Sequence, residues 1–504
     1  MTNQNEGVNS VSLPHPVFSA EWVRQAECQA AQQMGISLFT LMQRAASAAF
    51  ICAQQLFPQA RHWLVLCGHG NNGGDGYEMA RLARQAGIDV TLLAVDCGKP
   101  LPEEARAAQQ GWCAAGGEIG CVESTWPNDI DLIVDGLLGT GLSHSPREPY
   151  QHLIMAINQH AAPVFSLDVP SGLVAESGCV PGVAVQADHT MTFLALKPGL
   201  LTGLARDYVG VLHHDALGLE HWFAQQVPLL QRIDASCLAQ WLIPRRPCSH
   251  KGEHGRLLLV GGNCGFGGAI RMAGEAALRS GAGLVRVLTH KQHVAPLLAA
   301  CPELMVQELT DETLRAGEAW ADVLLIGPGL GQDQWAKDAL SLIACSNKPS
   351  LWDADALNLL AISPDTRHNR VLTPHPGEAA RLLGCSVAEI ESDRLLSITK
   401  LVQKYGGAVV LKGAGSLIAD AQGELAIADV GNPGMATGGM GDVLAGMIAA
   451  FIAQKLPLYR AACVGVVAHG AVADLLAARQ GTRGLLPTDL LPYIPSVVNP
   501  EMKK

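Results

Sequence analysis

Six glycines and one carboxylate fall within GNPGMATGGMGDVLAG, residues 431–446. The stretch runs straight into a helical pattern in which Leu444, Met447, Ile448 and Phe451 stand at i, i+3, i+4 and i+7. Glycines ahead of a helix N-terminus let backbone N–H groups close on an anion, and the helix dipole adds partial positive charge there. A phosphoryl group suits such a place. A carboxylate pointed at a bound phosphate is normally a cost, because like charges repel. Asp442 is therefore read as a base that takes a proton from a hydroxyl next to that phosphate. A lone GxGD reads more simply as an Asp capping a helix behind a flexible loop. The length of the glycine run, and a second phosphate-type loop upstream, shift the reading toward chemistry.

Other residues with chemical potential are spread along the chain. Lys412-Gly413-Ala414-Gly415-Ser416 is not a Walker A loop, because its Lys precedes the glycines, yet it can offer N–H groups and an ammonium to a nucleotide phosphate. His375 stands between two prolines in TPHPGE, which stiffens its backbone; alone it reads as a loop histidine. Near the start, GHGNNGGDG (residues 68–76) places Gly68, Gly70 and Gly73 in a GxGxxG match, and Asp96 closes the next strand, Val90–Val95, about 20 residues on, as a dinucleotide fingerprint requires. Asn71, Asn72 and Asp75 suit a loop that holds amides and an acid toward a ligand better than a bare phosphate cradle. Strands ending in Asp135 and Asp168 would bring these two and Asn72 to the carboxyl rim of a parallel sheet. GTGLSHS (residues 139–145) adds hydroxyls, and Ser171 follows in DVPSG, where Pro170 and Gly172 enforce a turn. Oxygen donors converging without Cys or His suggest a hard cation, monovalent as readily as divalent. Any one of these Asp residues alone reads as a helix N-cap.

The elements that must position these residues are legible in outline. Residues 19–57 are helix-like with one turn signal at Gly35, and Trp63–Cys67 is a short apolar strand. It leads through the glycines into a helix with Met79, Leu82, Ala83 and Ala86 on one face. Thr190–Leu196 is strand-like and Lys197-Pro198-Gly199 a turn. His213-His214-Asp215 has no further ligand at useful spacing and reads as a solvated turn. The stretch from Glu220 to Arg246, with Pro228 and Pro244, is the expected join. A second series begins with the strand Arg256–Val260, the loop GGNCGFGG (261–268) and the helix Ala269–Ser280. ADVLLIGPGLG, SLWDADAL, RVLTPHPGEAARLL and GAVVLKGAGS continue it. Each strand ends in Gly, Asp or Pro ahead of a helical pattern, which gives an α/β domain with a mostly parallel sheet.

A chain of 504 residues exceeds the ~250 to 300 at which single cores stop growing, so two large domains are expected. Only 16% of residues are charged, which excludes disorder, and a net charge of −11 argues against a general nucleic-acid or membrane-surface binder. The 14 Cys include no CxxC pair and are expected to be reduced and mostly buried. The first residues carry no basic start or apolar core of a signal peptide, and no apolar run approaches the ~18 residues of a membrane span, so a cytoplasmic protein is expected.

GHGNNGGDG, VDGLLGTGLS and LDVPSGL resemble the motifs of NAD(P)H-hydrate epimerase domains, while KGAGS and NPGMATGGMGD resemble those of the dehydratase domain usually fused to them. The chain is thus similar over nearly its whole length to the bifunctional NAD(P)H-hydrate repair enzymes. The resemblance implies an N-terminal Rossmann-like three-layer α/β domain, residues 12–225, followed by a C-terminal ribokinase-like α/β domain, residues 240–500. By motif, the epimerase substrate positions fall on Asn71, Asn72, Gly73, Gly74, Asp75, on Gly139, Thr140, Gly141, Leu142, Ser143, His144, Ser145, and on Asp168. Potassium would be held by Asn72, Asp135 and Ser171. In the dehydratase domain Ala269, Gly329, His375 and Asp442 would face the hydrated nicotinamide, and Lys412, Gly413, Ala414, Gly415, Ser416 and Gly441 the adenine nucleotide. The family's aromatic after the glycine loop appears here as Phe266, a small departure.

The implied chemistry is repair of hydrated NADH and NADPH. The first domain would interconvert the R and S hydrates at C6, with Asp168 as acid/base. The second would dehydrate the S hydrate by phosphorylating its hydroxyl from ADP, with Mg2+ and Asp442 as base, giving AMP and phosphate. Only small-molecule substrates and assembly into a homo-oligomer are expected, with no nucleic acid and no membrane. The competing readings are a ribokinase-like vitamin or sugar kinase fused to a nucleotide-binding domain, a two-domain dehydrogenase, and a non-catalytic nucleotide sensor.

Overall fold

The computed structural model describes residues 13–500 and divides into two compact units, 1–231 and 232–504. Residues 1–12, on which much of the signal-peptide expectation rests, lie outside the described residues.

The N-terminal unit is built on a 7-stranded, wholly parallel sheet. Its order across the sheet is Gly120–Cys121, Asp89–Ala94, His62–Cys67, Leu132–Gly136, Val164–Leu167, His189–Phe193 and Val211–Asp215. The central strand His62–Cys67 is buried on both faces, as parallel strands under helical crossovers must be. Trp63, Val65 and Cys67 join a core with the helices Ala20–Met34, Leu38–Leu56, Asn71–Gln85 and Glu103–Ala114, and Leu64 and Leu66 join a second core with Tyr150–Gln159. Three layers result.

The first two helices start where the sequence allows: Ser19 and Ser37 each accept a backbone N–H three residues on, and Gly35 turns the chain between them at φ 66°. His213-His214-Asp215, expected as a turn, is instead part of the edge strand Val211–Asp215. It pairs with His189–Phe193, and His213 Nε2 meets His189 Nδ1 at 3.0 Å. Two histidines and an acid hid the alternation that an edge strand shows.

In the C-terminal unit the strands Met305–Glu308, Leu284–Thr289, Arg256–Val260, Val323–Ile326, Ser350–Trp352, Arg370–Leu372 and Ala408–Leu411 lie side by side and parallel. Leu417–Asp420 and Leu425–Ala428 continue the sheet antiparallel. Helix Met440–Ala453 is buried all round from Val443 onward, not along the single stripe its periodicity suggested. A helix apolar on every side belongs in the middle of a core. Gly446 permits this: a Cβ there would lie 2.1 Å from the Ala273 carbonyl of the helix Gly267–Arg279.

Two expectations fail. Helix Leu458–Gln480 has a window of mean hydropathy 1.8, long and apolar enough to cross a membrane by composition, although 72% of that window is buried within the fold. All 14 Cys are free, but only Cys67, Cys237, Cys301 and Cys463 are buried. The rest are partly or wholly exposed.

Candidate active sites

In the N-terminal unit the chain leaves His62–Cys67 for Asp89–Ala94 on one side and later fills the other side with Leu132–Gly136. Parallel sheets bind ligands at such a switch point, beyond the carboxyl ends of the strands. A cavity of about 620 Å³ opens there, lined by Gly70, Asn71, Asn72 and Asp75, by Leu137 to Leu142, and by Asp168. The helices Ala20–Met34 and Leu38–Leu56 contribute Arg24, Glu27, Leu41 and Met42, and Lys197 completes the wall.

Asn71 to Asp75 do not form a loop, as the glycines had suggested, but the first turns of helix Asn71–Gln85. Gly73 explains why the residue type is needed: a Cβ there would lie 2.0 Å from the Gly68 carbonyl. Asp96, the expected dinucleotide acid, is exposed and accepts the Gly98 N–H at 2.8 Å. It caps a turn and stays out of the cavity lining. Ser143, His144 and Ser145 are likewise exposed and not among the lining residues, whereas Gly139, Thr140, Gly141 and Leu142 are.

Asp168 sits in the left-handed region at φ 61°. Its Oδ1 accepts from Lys197 Nζ at 2.6 Å and from Thr192 Oγ1 at 3.1 Å. Lys197, 2% exposed, also donates to Thr192 Oγ1 at 2.9 Å and to the Phe193 carbonyl at 2.8 Å, so its three protons are spent. The residue read as a turn is the cation that holds Asp168. Around this pair the cavity gathers acids. Burial raises the Asp75 carboxyl well above its ordinary pKa, and Asp168 and Glu27 add to the effect.

Asp135 lies deeper than a ligand rim, fully buried. Its oxygens accept from Ser171 Oγ at 2.6 Å, Ser171 N at 2.9 Å, Ser166 Oγ at 2.8 Å and Leu137 N at 3.2 Å. These donors are all neutral, and burial raises the carboxyl's pKa in spite of them. Asn72 donates Nδ2 to the Leu138 carbonyl at 3.0 Å, while its Oδ1 is buried without a hydrogen-bond partner. An orphaned amide oxygen, a hydroxyl and a buried carboxylate answered by neutral donors make a fitting donor set for a hard cation.

In the C-terminal unit the switch point falls between Arg256–Val260 and Val323–Ile326. Gly262 N donates to the Pro328 carbonyl at 3.0 Å and Asn263 N to Gly329 at 2.7 Å, which closes the loop after the first strand onto the second. Gly329, at φ 60°, approaches so closely that an added Cβ would stand 2.7 Å from the Phe266 carbonyl and 3.2 Å from Ala269 Cβ. Ala269 and Gly329 are therefore neighbours.

The next three strand ends deliver Asp353, Thr373 with His375, and Lys412. Thr373 Oγ1 donates to Asp353 Oδ1 at 2.8 Å, and Lys412 Nζ donates to the same oxygen at 3.0 Å and lies 3.8 Å from Glu378 Oε2. His375 caps helix Pro376–Leu383: its Nδ1 accepts from Gly377 N at 2.9 Å, while Glu378 Oε2 accepts the His375 N–H at 2.8 Å. Its Nδ1 is thereby an acceptor and, in the neutral ring, the proton sits on Nε2. The Lys412–Ser416 turn is shaped from behind by Arg394, almost fully buried, which donates to the Leu411 and Lys412 carbonyls at 3.2 and 3.1 Å.

Helix Met440–Ala453 starts beside this group. Its N-cap is Gly439, at φ 98°, and Asp442 makes no cap, so the simple reading of Asp442 as an N-cap is wrong. A Cβ on Gly441 would stand 3.3 Å from Lys412 Nζ and 3.7 Å from Asp353 Oδ2, which places the glycine turn against the ion pair. Burial, and then Asp353, push the Asp442 carboxyl up to about 7, with Lys412 working the other way. Burial and Asp353 likewise bring Glu378 to about 7. Lys412 is itself opposed by burial, yet Asp353 and Glu378 outweigh that and raise it. The preceding loop is anchored by Asp474 of helix Leu458–Gln480, which accepts from Gly431 N and Asn432 Nδ2, both at 2.8 Å.

Residues 38–199 match the family described as the YjeF-related protein N-terminus, and residues 257–496 match the NAD(P)H-hydrate dehydratase family. Over 502 residues the chain is 60% identical to the bifunctional NAD(P)H-hydrate repair enzyme Nnr of Escherichia coli (strain K12), covering 100% of this chain and 98% of that one. The chain belongs to the bifunctional NAD(P)H-hydrate repair enzymes. The repair enzyme of Vibrio cholerae is 46% identical over 493 residues, 97% of this chain and 99% of its own. A ribokinase-like superfamily protein of Enterococcus faecalis V583 shares the fold at TM-score 0.51 and 35% identity, covering 54% of this chain and 96% of its own. The C-terminal unit is thus ribokinase-like, as the resemblance implied.

Sequence reasoning missed Glu27, Lys197, Asp353 and Glu378. Asp353 carried the same signal as Asp135 and Asp168, an Asp at the end of an apolar strand. The other three carried none, because a single charge on a helix or beside a proline looks like any solvated residue.

Proposed function

We propose that the two units are the two halves of one repair activity on hydrated NADH and NADPH, an epimerase over residues 12–225 and a dehydratase over 240–500. The observation that carries the dehydratase half is Asp442, raised to about 7 and set at a glycine-rich helix start beside Lys412 and Asp353. A base poised near neutrality takes the C6 hydroxyl proton without binding it too tightly. The hydroxyl oxygen attacks the terminal phosphorus of ADP, the bond to AMP breaks, and the ring-nitrogen lone pair then forms a C6–N double bond as the C6–O bond breaks and phosphate leaves. Loss of a proton from C5 then restores the double bond. Backbone amides at Gly438 to Gly441 face charge on the transferred phosphoryl group, and Lys412 to Ser416 hold the nucleotide. Ala269, Gly329 and His375 border the hydrate.

Mg2+ suits the carboxylates of Asp353 and Glu378, which crowd one ammonium beside Asp442, and it would supply countercharge for phosphoryl transfer. Potassium suits Asn72 Oδ1, Ser171 and Asp135, where it would answer the orphaned amide oxygen and the buried charge. In the epimerase cavity Asn71, Asn72, Asp75, Gly139 to Leu142 and Asp168 would hold the hydrate, with Asp168 as acid/base. The test is incubation of the protein with hydrated NADH and either ADP or ATP. Return of reduced cofactor, with AMP and phosphate from ADP, supports the reading; a stable phosphorylated product would make the chain a kinase.

A further inference from the structure

Interconverting two hydrates through loss and return of water needs proton transfer on both faces of the ring. Asp168 is poorly placed to do this alone. Its Oδ1 is tied to Lys197 and Thr192, its backbone is fixed in the left-handed region, and none of these bonds reaches Oδ2. A second group must come from another wall.

We propose that Glu27 is that group: it gives a proton to the departing C6 hydroxyl on one face of the hydrate, while Asp168 takes one from the water that adds on the other. The inference rests on the epimerase reading above. Glu27 stands on helix Ala20–Met34, ahead of the 38–199 segment that matches the family, and lines the same cavity as Asp168 and Lys197. The groups around it are Asp168, Lys197 and Glu104, with Asp75 across the cavity and Arg24 one turn back on its own helix. Burial raises its pKa first, Asp168 and Glu104 add to the rise, and Lys197 opposes it. Asp168 meanwhile carries the ammonium. The two carboxyls thus stand on two elements of one cavity, one of them held by an ammonium.

The step balances. The C6–O bond breaks with its electron pair on oxygen, which takes the Glu27 proton and leaves as water. The ring-nitrogen lone pair forms the C6–N double bond. Water adds to the opposite face, the nitrogen regains its pair, and the surplus proton passes to Asp168. Exchange with solvent returns Glu27 and Asp168 to their starting states.

The experiment is epimerisation of the isolated R hydrate by the full chain, measured above the uncatalysed rate across pH, for wild type, Glu27→Gln, Glu27→Asp and Asp75→Asn. The circular dichroism spectrum and melting curve of each variant report folding, since dehydration of the S hydrate belongs to the other unit. The proposal expects Glu27→Gln to lose about 10²-fold or more in kcat with KM within a few-fold, and to lose the alkaline limb of the profile. Glu27→Asp keeps a carboxyl and should keep that limb at reduced rate, which separates proton transfer from packing. A Glu27→Gln rate within a few-fold of wild type, a rise in KM alone, or a loss confined to Asp75→Asn would overturn it. A wild type that does not interconvert the hydrates would instead sink the epimerase reading, and this inference with it.

Discussion

Lys412 Nζ lies 3.0 Å from Asp353 Oδ1, and the glycine turn ahead of Asp442 packs against that pair. The relationship joins two strand ends to a helix start and sets the charge of the dehydratase site. Asp353 is 1% exposed, so its ammonium partner is not optional.

Lys412→Met would therefore act on both stability and nucleotide use. Removing one partner of a buried pair costs about 3 to 5 kcal/mol, because the other charge is left uncompensated. A lower melting temperature and a KM for ADP raised about tenfold or more are expected. Lys412→Arg should not restore the wild type, since a planar fork does not replace a compact ammonium between Asp353 and Glu378. Melting curves and ADP titrations check both points.

The rate of dehydration should climb with pH. Asp442 must be deprotonated to act, and its carboxyl is raised to about 7, so kcat is expected to rise through neutrality and level off above it. A profile already flat from pH 5 would remove Asp442 as the base.

Asp442 should also burden the fold. Its folded pKa of about 7 exceeds the ordinary value of 3.8, so between those pH values the folded state binds more protons than the unfolded state. Stability then falls as pH rises through that window. Asp442→Asn is expected to melt a few degrees above wild type at pH 8 and to lose the advantage near pH 4, by calorimetry at both.

Much of this was legible in the sequence because buried parallel strands are short apolar runs. Arg256–Val260 has the bounds its composition indicated, and the glycine runs marked both switch points. What stayed hidden has physical reasons. Val211–Asp215 is an edge strand whose polar residues mimic a turn. The reading of one apolar stripe in Met440–Ala453 overlooks that every residue from Val443 onward is apolar or glycine, the pattern of a helix buried on all its faces. Glu27 and Asp168 are 141 positions apart (168 − 27), and nothing short of the fold puts them in one cavity.

Potassium should matter to the epimerase alone if Asn72 Oδ1 is its ligand. Replacing potassium by a bulky organic cation is expected to slow epimerisation and leave S-hydrate dehydration unchanged. Asn72→Ala should be slow at any potassium concentration. Equal rates with and without potassium would leave Asn72 Oδ1 unexplained.

Asp168→Asn should slow epimerisation of the R hydrate and spare dehydration of the S hydrate. It keeps an acceptor for Lys197 and Thr192 but removes the carboxylate proposed as base. A variant that epimerises at the wild-type rate would exclude Asp168 from proton transfer.

The most direct measurement is recovery of reduced cofactor from the S hydrate and ADP, compared between wild type and Asp442→Asn at pH 8, with ADP affinity measured alongside. The account predicts full recovery by the wild type and a loss of about 10²-fold or more in kcat for the variant, with ADP binding retained. A variant that keeps most of its turnover, or a wild type that leaves the hydrate untouched, would contradict it.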